Sequence, residues 1–136
     1  MASQRKLDIT YMAMAEEWGK LSYANRKKVG ALIVLRERII SDGYNGTPTG
    51  TCNKCEDVEG KTKKEVIHAE SNALMKLARS TNSAEGATLY STLSPCFECA
   101  KLIYQAGIAT VIYKEKYSDV EGISFLNSMD VNCFKL

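Results

Sequence analysis

Two cysteines, Cys96 and Cys99, lie three positions apart in the segment LSPCFEC. The residues before them, Ser94 and Pro95, are types that favour the N-cap and the first position of a helix, which predicts that a helix begins there. Residues three apart on a helix share a face, so both sulfur atoms would point the same way. The N–H groups at a helix N-terminus favour a thiolate, the form that redox reactions and metal binding require. The segment therefore predicts chemistry at a helix start.

Four interpretations of this cysteine pair are open. It could be a redox CxxC motif, although the neighbouring residues do not resemble a thioredoxin site. It could form a closed structural zinc site with Cys52 and Cys55, although the gap between the two pairs exceeds that of a zinc ribbon. It could be two thiols that pack together in the core by accident. The fourth interpretation is a metal site that takes a further ligand from the one histidine of the chain.

That histidine is His68, in the segment VIHAES, with Glu70 two positions later. One imidazole and two thiolates would fill three positions of a zinc tetrahedron and leave the fourth for water, as in catalytic zinc sites. Glu70 is then expected to carry protons, because a fourth protein ligand would close the site. Residues two apart point to opposite sides of a helix, so we expect His68 at the very start of a helix and Glu70 in its first turn.

The elements that must position these residues are predicted to alternate along the chain. Apolar residues at spacings of three and four predict a helix over 7–23, whose apolar face is Leu7, Tyr11, Met14, Ala15, Trp18 and Leu21. Beyond it the pattern predicts helices at 68–79, 96–106 and 119–128, strands at 29–35, 38–45, 87–93, 109–113 and 131–134, and a long polar loop at 46–65. The first two strands should form a hairpin, and Cys133 in the last one should be buried. Strands alternating with helices predict an α/β fold with parallel strand pairs.

Composition is that of one globular domain spanning residues 1–136, with 45% hydrophobic and 25% charged residues. The longest apolar run, residues 29–35, is shorter than the roughly 20 residues that cross a bilayer, and the N-terminus lacks a signal-peptide pattern, so we expect a cytoplasmic protein. Its five cysteines are then expected to be thiols or metal ligands. A net charge of +2 gives no indication of a polyanionic partner.

The motif His-x-Glu followed downstream by Pro-Cys-x-x-Cys resembles the signature of zinc-dependent deaminases. With residues 90–113 and the segment SDGYNGTPTG at 41–50, nearly the whole chain resembles the deoxycytidylate (dCMP) deaminase family of the cytidine deaminase superfamily. The GYNG segment is what points to the deoxycytidylate branch. The resemblance implies a three-layer α/β/α fold around a mixed five-stranded sheet. It also implies one catalytic Zn²⁺ and the hydrolysis of dCMP to dUMP and ammonia.

Residue roles follow from the resemblance and from the chemistry of a nucleotide substrate. His68, Cys96 and Cys99 would hold the zinc, and Glu70 would transfer protons. The expected substrate contacts are the side chain of Asn45 on the deoxyribose, the backbone N–H of Ala69 on the base, and Tyr117 on the base or the phosphate. A 5′-phosphate also requires a cation, for which Arg26 is the first candidate, with Lys114 and Lys116 as alternatives.

Relatives of this kind are hexamers with a second nucleotide site at a subunit interface. That site is activated by dCTP, inhibited by dTTP with Mg²⁺, and bordered by the GYNG segment. We therefore expect a homo-oligomer, and specifically a hexamer. The residues expected at the effector site are Lys27, Lys28, Gly43, Tyr44, Asn45 and Gly46.

Some relatives also carry a second, structural zinc in the loop before the His-x-Glu motif. Here such a site would need Cys52 and Cys55 together with oxygen ligands such as Glu56 or Asp57, an unusual set for structural zinc.

Two other function classes stay open. One is a deaminase that acts on a base in tRNA or single-stranded DNA, which should show a basic groove with interleaved aromatic residues. The other is a non-catalytic zinc-binding interaction module, which would have no use for Glu70.

Overall fold

The chain folds around one five-stranded mixed sheet, which confirms the predicted α/β class. The computed structural model describes residues 1–136. Its elements, in chain order, are α1 (Gln4–Gly19), β1 (Gly30–Leu35), β2 (Arg38–Tyr44), α2 (Ala69–Ala78), β3 (Thr88–Leu93), α3 (Phe97–Gln105), β4 (Thr110–Glu115), α4 (Glu121–Ser128) and β5 (Asn132–Lys135). No helix combines the length and the apolar character needed to cross a membrane.

Strand order in the sheet is β2-β1-β3-β4-β5. Strand β1 is antiparallel to both β2 and β3, while β3, β4 and β5 run parallel to one another. The predicted hairpin is confirmed: Arg36 and Glu37 form its tight turn, with φ values of 51° and 60°. The predicted crossovers are also confirmed, since α3 connects β3 to β4 and α4 precedes β5.

Helices cover both faces of the sheet. Alternate residues of β1 divide between the faces: Leu32 and Val34 pack in a cluster with α1, and Ala31 and Ile33 belong to the larger cluster under the other helices. That larger cluster takes side chains from α2, α3 and α4. It also contains Cys133, which is 5% exposed in β5, so the predicted burial of this cysteine is confirmed.

Helix α1 differs from its prediction in its face and in its end. Met14 and Leu21, expected in the core, are exposed, while Met12, Ala15 and Gly19 are buried. The reason is close packing on β1: a Cβ at Gly30 would collide with the carbonyl oxygen of Ala15, and one at Gly19 would lie 2.8 Å from the nitrogen of Gly30. The helix therefore approaches the sheet through its smallest residues and ends at Gly19 rather than at residue 23.

The segment between β2 and α2 contains neither helix nor strand, as the polar composition predicts. Two isolated bridges organise it, one between Gly46 and Ile67 and one between Glu56 and Thr62. The first bridge returns the chain to the end of β2 directly before His68. The loop thus leaves the sheet and comes back to the same edge.

Candidate active site

His68 and Glu70 stand at the start of α2, where the sequence predicts them. His68 is the N-cap residue with extended dihedrals (φ −67°, ψ 156°), and the helix begins at Ala69. Glu70 lies in the first turn and is 3% exposed. The break in helical geometry at His68 is what lets residues two apart serve one site, so the predicted helix start is confirmed.

Cys96 and Cys99 stand at the start of α3, but the cap differs from its prediction. The N-cap residue is Cys96, not Ser94, and its sulfur accepts a hydrogen bond from the backbone N–H of Cys99 at 3.4 Å. Ser94 has another partner, because its hydroxyl oxygen accepts the backbone N–H of Tyr117 at 2.6 Å. A tertiary contact therefore overrides the local preference of Ser-Pro for a helix start, and α3 begins two residues later.

The two helix starts bring three candidate ligands together. The Nδ1 atom of His68 lies 3.4 Å from the sulfur of Cys96 and 3.5 Å from the sulfur of Cys99. All three ligand atoms lie within 4.8 Å of one another. Bond lengths of about 2.0 Å to nitrogen and 2.3 Å to sulfur place such atoms about 3.5 Å apart on a tetrahedral zinc ion. The donor set and its spacing therefore fit zinc.

Burial and neighbouring groups set the proton affinities at this site. Burial raises the pKa of the Glu70 carboxyl to about 7, so the group can both accept and release a proton near neutral pH. A hydrogen bond from the Cys99 thiol, helped by His68, lowers the pKa of Cys96. The hydroxyl of Ser71 lies 3.3 Å from the Cys99 sulfur and gives it a polar neighbour.

A cavity of about 410 Å³ opens beside this cluster. Four residues predicted to contact a substrate line it, namely Arg26, Asn45, Ala69 and Tyr117, together with His68, Glu70 and Cys96. Lys27 and Lys116 line it as well. Lys114 does not, and its ammonium group pairs with Glu16 at 2.7 Å. The structure thus brings the four predicted substrate residues, Glu70 and two of the three candidate metal ligands to one cavity.

Only some of the residues expected at the effector site line the cavity. Lys27 and Asn45 line the cavity, whereas Lys28, Gly43, Tyr44 and Gly46 do not. Gly43 lies under α2, where a Cβ would collide with the carbonyl oxygen of Ala69 and lie 2.6 Å from the nitrogen of Ala73. The ring of Tyr44 packs edge-on against Trp18, with 6.3 Å between ring centroids. Gly43 and Tyr44 thus have packing roles that fix the helices on the sheet.

The side-chain amide of Asn45 forms two hydrogen bonds with the backbone of the segment that precedes β1. Its Oδ1 accepts the backbone N–H of Val29 at 2.9 Å, and its Nδ2 donates to the carbonyl oxygen of Lys27 at 2.8 Å. One N–H of the amide remains for a ligand. Asn45 therefore shapes the cavity wall in addition to facing the cavity.

Glu56 and Glu115 also line the cavity. From the sequence, Glu56 is expected only as a possible ligand of a second metal, and Glu115 is not singled out at all. The Glu56 carboxylate accepts the backbone N–H groups of Asn25 and Arg26 at 3.1–3.2 Å. Glu115 forms an ion pair with Lys27 at 2.5 Å across the rim. Neither contact has a signal in the sequence, because each joins residues far apart in the chain without a shared motif.

The other cysteine pair is not gathered into a cluster of candidate ligands in this structure. Cys52 is exposed and Cys55 is buried, and they belong to no group of three candidate ligands. The carboxylate of Glu56 is occupied as described above. That of Asp57 accepts the backbone N–H groups of Glu59 and Lys61 at 2.9 and 3.0 Å. Both carboxylates that such a site could use therefore accept backbone hydrogen bonds, Glu56 from the segment before β1 and Asp57 from its own turn.

Comparison with known proteins agrees with this site. Residues 5–115 match the family model described as the cytidine and deoxycytidylate deaminase zinc-binding region. Deoxycytidylate deaminase of Enterobacteria phage T4 is 34% identical, over 86% of this chain and 79% of that protein. The human deoxycytidylate deaminase is 39% identical, over 80% of this chain and 65% of that protein.

A solved structure is similar along the whole length of the chain. It is the crystal structure of dCMP deaminase from the cyanophage S-TIM5 in complex with dCMP and dUMP. That protein is 40% identical, with a TM-score of 0.96 over 99% of this chain and 100% of that chain. The protein described here is therefore a deaminase enzyme that belongs to the deoxycytidylate deaminase family of the cytidine deaminase superfamily.

Proposed function

We propose that this enzyme hydrolyses dCMP to dUMP and ammonia with one bound zinc ion. The observation that carries the proposal is that a buried carboxyl, Glu70, and a cluster of three zinc-type ligands lie beside a cavity that is also lined by cations. The similarity to a dCMP deaminase crystallised with dCMP and dUMP supports the choice of substrate. Hydrolysis requires only water as co-reactant.

His68, Cys96 and Cys99 would hold the zinc, which when bound supplies the Lewis acidity that lets water ionise near neutral pH. Glu70 has the proton-transfer role. Its carboxylate accepts a proton from the attacking water and delivers it to N3 of the cytosine ring as the oxygen bonds to C4. It then accepts the second proton of that water, from the hydroxyl now on C4, and passes it to the 4-amino group as the C4–N bond breaks and ammonia leaves. Its burial supports this role, because burial raises the pKa of the carboxyl and so makes a transient protonated form easier to reach.

Binding of the nucleotide is proposed to use the walls of the cavity. The backbone N–H of Ala69 would donate to the carbonyl oxygen of the base, and the free N–H of the Asn45 amide would reach the deoxyribose. Tyr117 would pack against the base. Arg26, Lys27 and Lys116 are the cations on the cavity, and of these Arg26 remains our first choice for the 5′-phosphate.

Regulation by nucleotides is a further part of the proposal, and it rests on family resemblance. We propose a homohexamer that dCTP activates and that dTTP with Mg²⁺ inhibits. Lys28 follows Lys27 in the chain, is exposed and does not line the cavity. Of the two lysines expected at the effector site, it is therefore the one that is free to bind an effector. Lys27, also expected at the effector site, lines the cavity and forms an ion pair with Glu115.

The experiment that tests the function compares four substrates by absorbance: dCMP, deoxycytidine, CMP and cytosine within a single-stranded oligonucleotide. The proposal expects the highest kcat/KM on dCMP, because a cationic wall left without its phosphate loses binding energy. Preference for the oligonucleotide would identify a nucleic-acid deaminase instead. Zinc binding without turnover of any of the four would identify an interaction module.

A further inference from the structure

The segment from residue 22 to 29 forms one wall of the cavity and carries two of its three cations. Arg26 and Lys27 extend from this segment, and both line the cavity. The segment contains no helix or strand, so no ladder of backbone hydrogen bonds fixes its shape. The position of its cations therefore depends on the side chains that hold its backbone.

Two polar side chains hold the ends of this wall segment. Ser22 donates its hydroxyl to the carbonyl oxygen of Asn45 at 2.7 Å and accepts the backbone N–H of Ala24 at 3.1 Å. At the other end, the Asn45 amide holds the carbonyl oxygen of Lys27 and the N–H of Val29. Between these two anchors, the N–H groups of residues 25 and 26 are held by Glu56 alone.

Glu56 is itself held in place by the loop that contains it. It forms a bridge with Thr62, and the turn between them is closed by Asp57, which bonds to the backbone of Glu59 and Lys61. The hydroxyl of Thr62 in turn accepts the guanidinium of Arg26 at 3.5 Å. The small turn at 56–62 therefore contacts both the backbone and the side chain of the wall segment.

We propose that Glu56 is a positioning residue for phosphate recognition: its carboxylate clamps the amides of Asn25 and Arg26 and so holds Arg26 and Lys27 toward the substrate. This inference rests on the proposed function for its substrate. Glu56 holds the wall segment but does not contact the reacting atoms. Its loss should therefore weaken nucleotide binding and raise KM, while kcat stays nearly unchanged. A deoxycytidine substrate, which has no phosphate, gains little from this clamp.

The geometry supplies a matched pair of substitutions. One oxygen of the carboxylate, Oε2, lies 3.1 Å from the nitrogen of Asn25 and 3.2 Å from that of Arg26. A glutamine at this position can therefore keep both hydrogen bonds with its amide oxygen, while a leucine of similar size has no acceptor. Glu56→Gln and Glu56→Leu thus separate the clamp from the bulk of the side chain. Glu59→Leu is the control, because Glu59 is an exposed carboxylate of the same turn, 4.0 Å from Lys61.

The test is steady-state kinetics on the zinc-loaded variants with dCMP and with deoxycytidine. For Glu56→Leu we expect KM for dCMP to rise about tenfold, which corresponds to about 1.4 kcal/mol. The same variant should keep kcat within about twofold and use deoxycytidine almost as well as the parent protein. Glu56→Gln and Glu59→Leu should both stay within about twofold for dCMP. Equal losses on the two substrates, or equal losses in the leucine and glutamine variants, would overturn the clamp.

A second measurement is independent of activity. Hydrogen exchange at the amides of Asn25 and Arg26 should be slow in the parent protein and in Glu56→Gln, and faster in Glu56→Leu. Unprotected amides in the parent protein would refute the clamp whatever the kinetics. Absence of dCMP turnover in the parent protein would instead refute the proposed function, and the exchange rates would still decide whether Glu56 holds the wall segment.

Discussion

His68, Cys96 and Cys99 offer one nitrogen and two sulfur atoms at the separations that a tetrahedral zinc ion requires. Replacing any of the three by alanine leaves two ligands, too few for tight binding. We expect bound zinc to fall from about one ion per chain to near zero, together with the deaminase activity. Elemental analysis of the purified variants measures the metal directly. A variant that keeps stoichiometric zinc would remove that residue from the ligand set.

Glu70 is expected to behave differently from the ligands. Glu70→Gln keeps the size and polarity of the side chain but cannot carry a proton, so zinc should stay bound while kcat falls by about 10²–10⁴. Glu98→Gln is the matched control, since Glu98 lies between the two cysteines but is exposed. Zinc content and kcat are measured on the same preparations. Loss of zinc from Glu70→Gln would make Glu70 a ligand and not a proton carrier.

Arg26 is predicted to bind the 5′-phosphate of the substrate. Arg26→Ala should lower kcat/KM for dCMP about tenfold to a hundredfold, and that for deoxycytidine much less, because only the nucleotide loses a charge-assisted contact. Arg38→Ala, which removes an exposed arginine that does not line the cavity, is the control. Equal losses on the two substrates would exclude Arg26 as the phosphate contact and direct attention to Lys27 and Lys116.

Sequence reasoning identifies site residues when their chemistry depends on short spacing. The metal ligands and Glu70 lie in two motifs of a few residues, and each motif defines its own helix start. Glu56 has no such signal, because its partners are about thirty positions away and are backbone groups that any residue type would supply. Contacts of that kind become visible only when the loop is folded against the wall segment.

Among the elements, α2 packs directly on β2 at Gly43. A Cβ there would meet the backbone of Ala69 and Ala73, so Gly43→Ala must push α2 away from the sheet. We expect this variant to lose about 1–3 kcal/mol of unfolding free energy and much of its activity, because α2 begins at the metal site. Thermal unfolding monitored by circular dichroism measures the stability.

Gly46→Ala is the matched control for stability. Gly46 belongs to the same GYNG segment, but a Cβ there has no atom within 4 Å, and its φ is not in the left-handed region. Its melting temperature should stay within about 1–2 °C of the parent value. A similar loss of stability in both variants would show that the segment is sensitive to any side chain, and would contradict the packing explanation for Gly43.

The elements also show where local pattern fails as a predictor. Apolar periodicity gives the existence of α1, yet the helix packs through Ala15 and Gly19, because small residues allow close approach to Gly30. Likewise, Ser94 is a residue type that favours an N-cap, but its hydroxyl oxygen accepts the backbone N–H of Tyr117 instead. In both cases the deciding contact comes from another part of the chain, which periodicity and capping rules do not include.

At the scale of the whole molecule, strand direction explains why the site lies where it does. Strand β1 is antiparallel to both its neighbours, so β2 and β3 run the same way, and β4 runs with them. The residues that directly follow these three strands, Asn45, Ser94 and Lys116, all line the cavity. Carboxyl ends of strands are the usual binding edge of α/β sheets. One sheet edge thus gathers the substrate wall, the start of α3 and the cations.

Assembly and regulation are the remaining predictions at this scale. A homohexamer with an interface effector site requires two states of different dCMP affinity, and each nucleotide must favour one of them. We expect sigmoidal dependence of the initial rate on dCMP, which becomes hyperbolic with dCTP, while dTTP with Mg²⁺ raises the half-saturating concentration. Lys28→Ala should weaken both responses. Rate measurements with each effector, together with the molar mass from light scattering, test this directly. A monomer with hyperbolic kinetics and no response to either nucleotide would confine the GYNG segment to packing and to the active-site cavity.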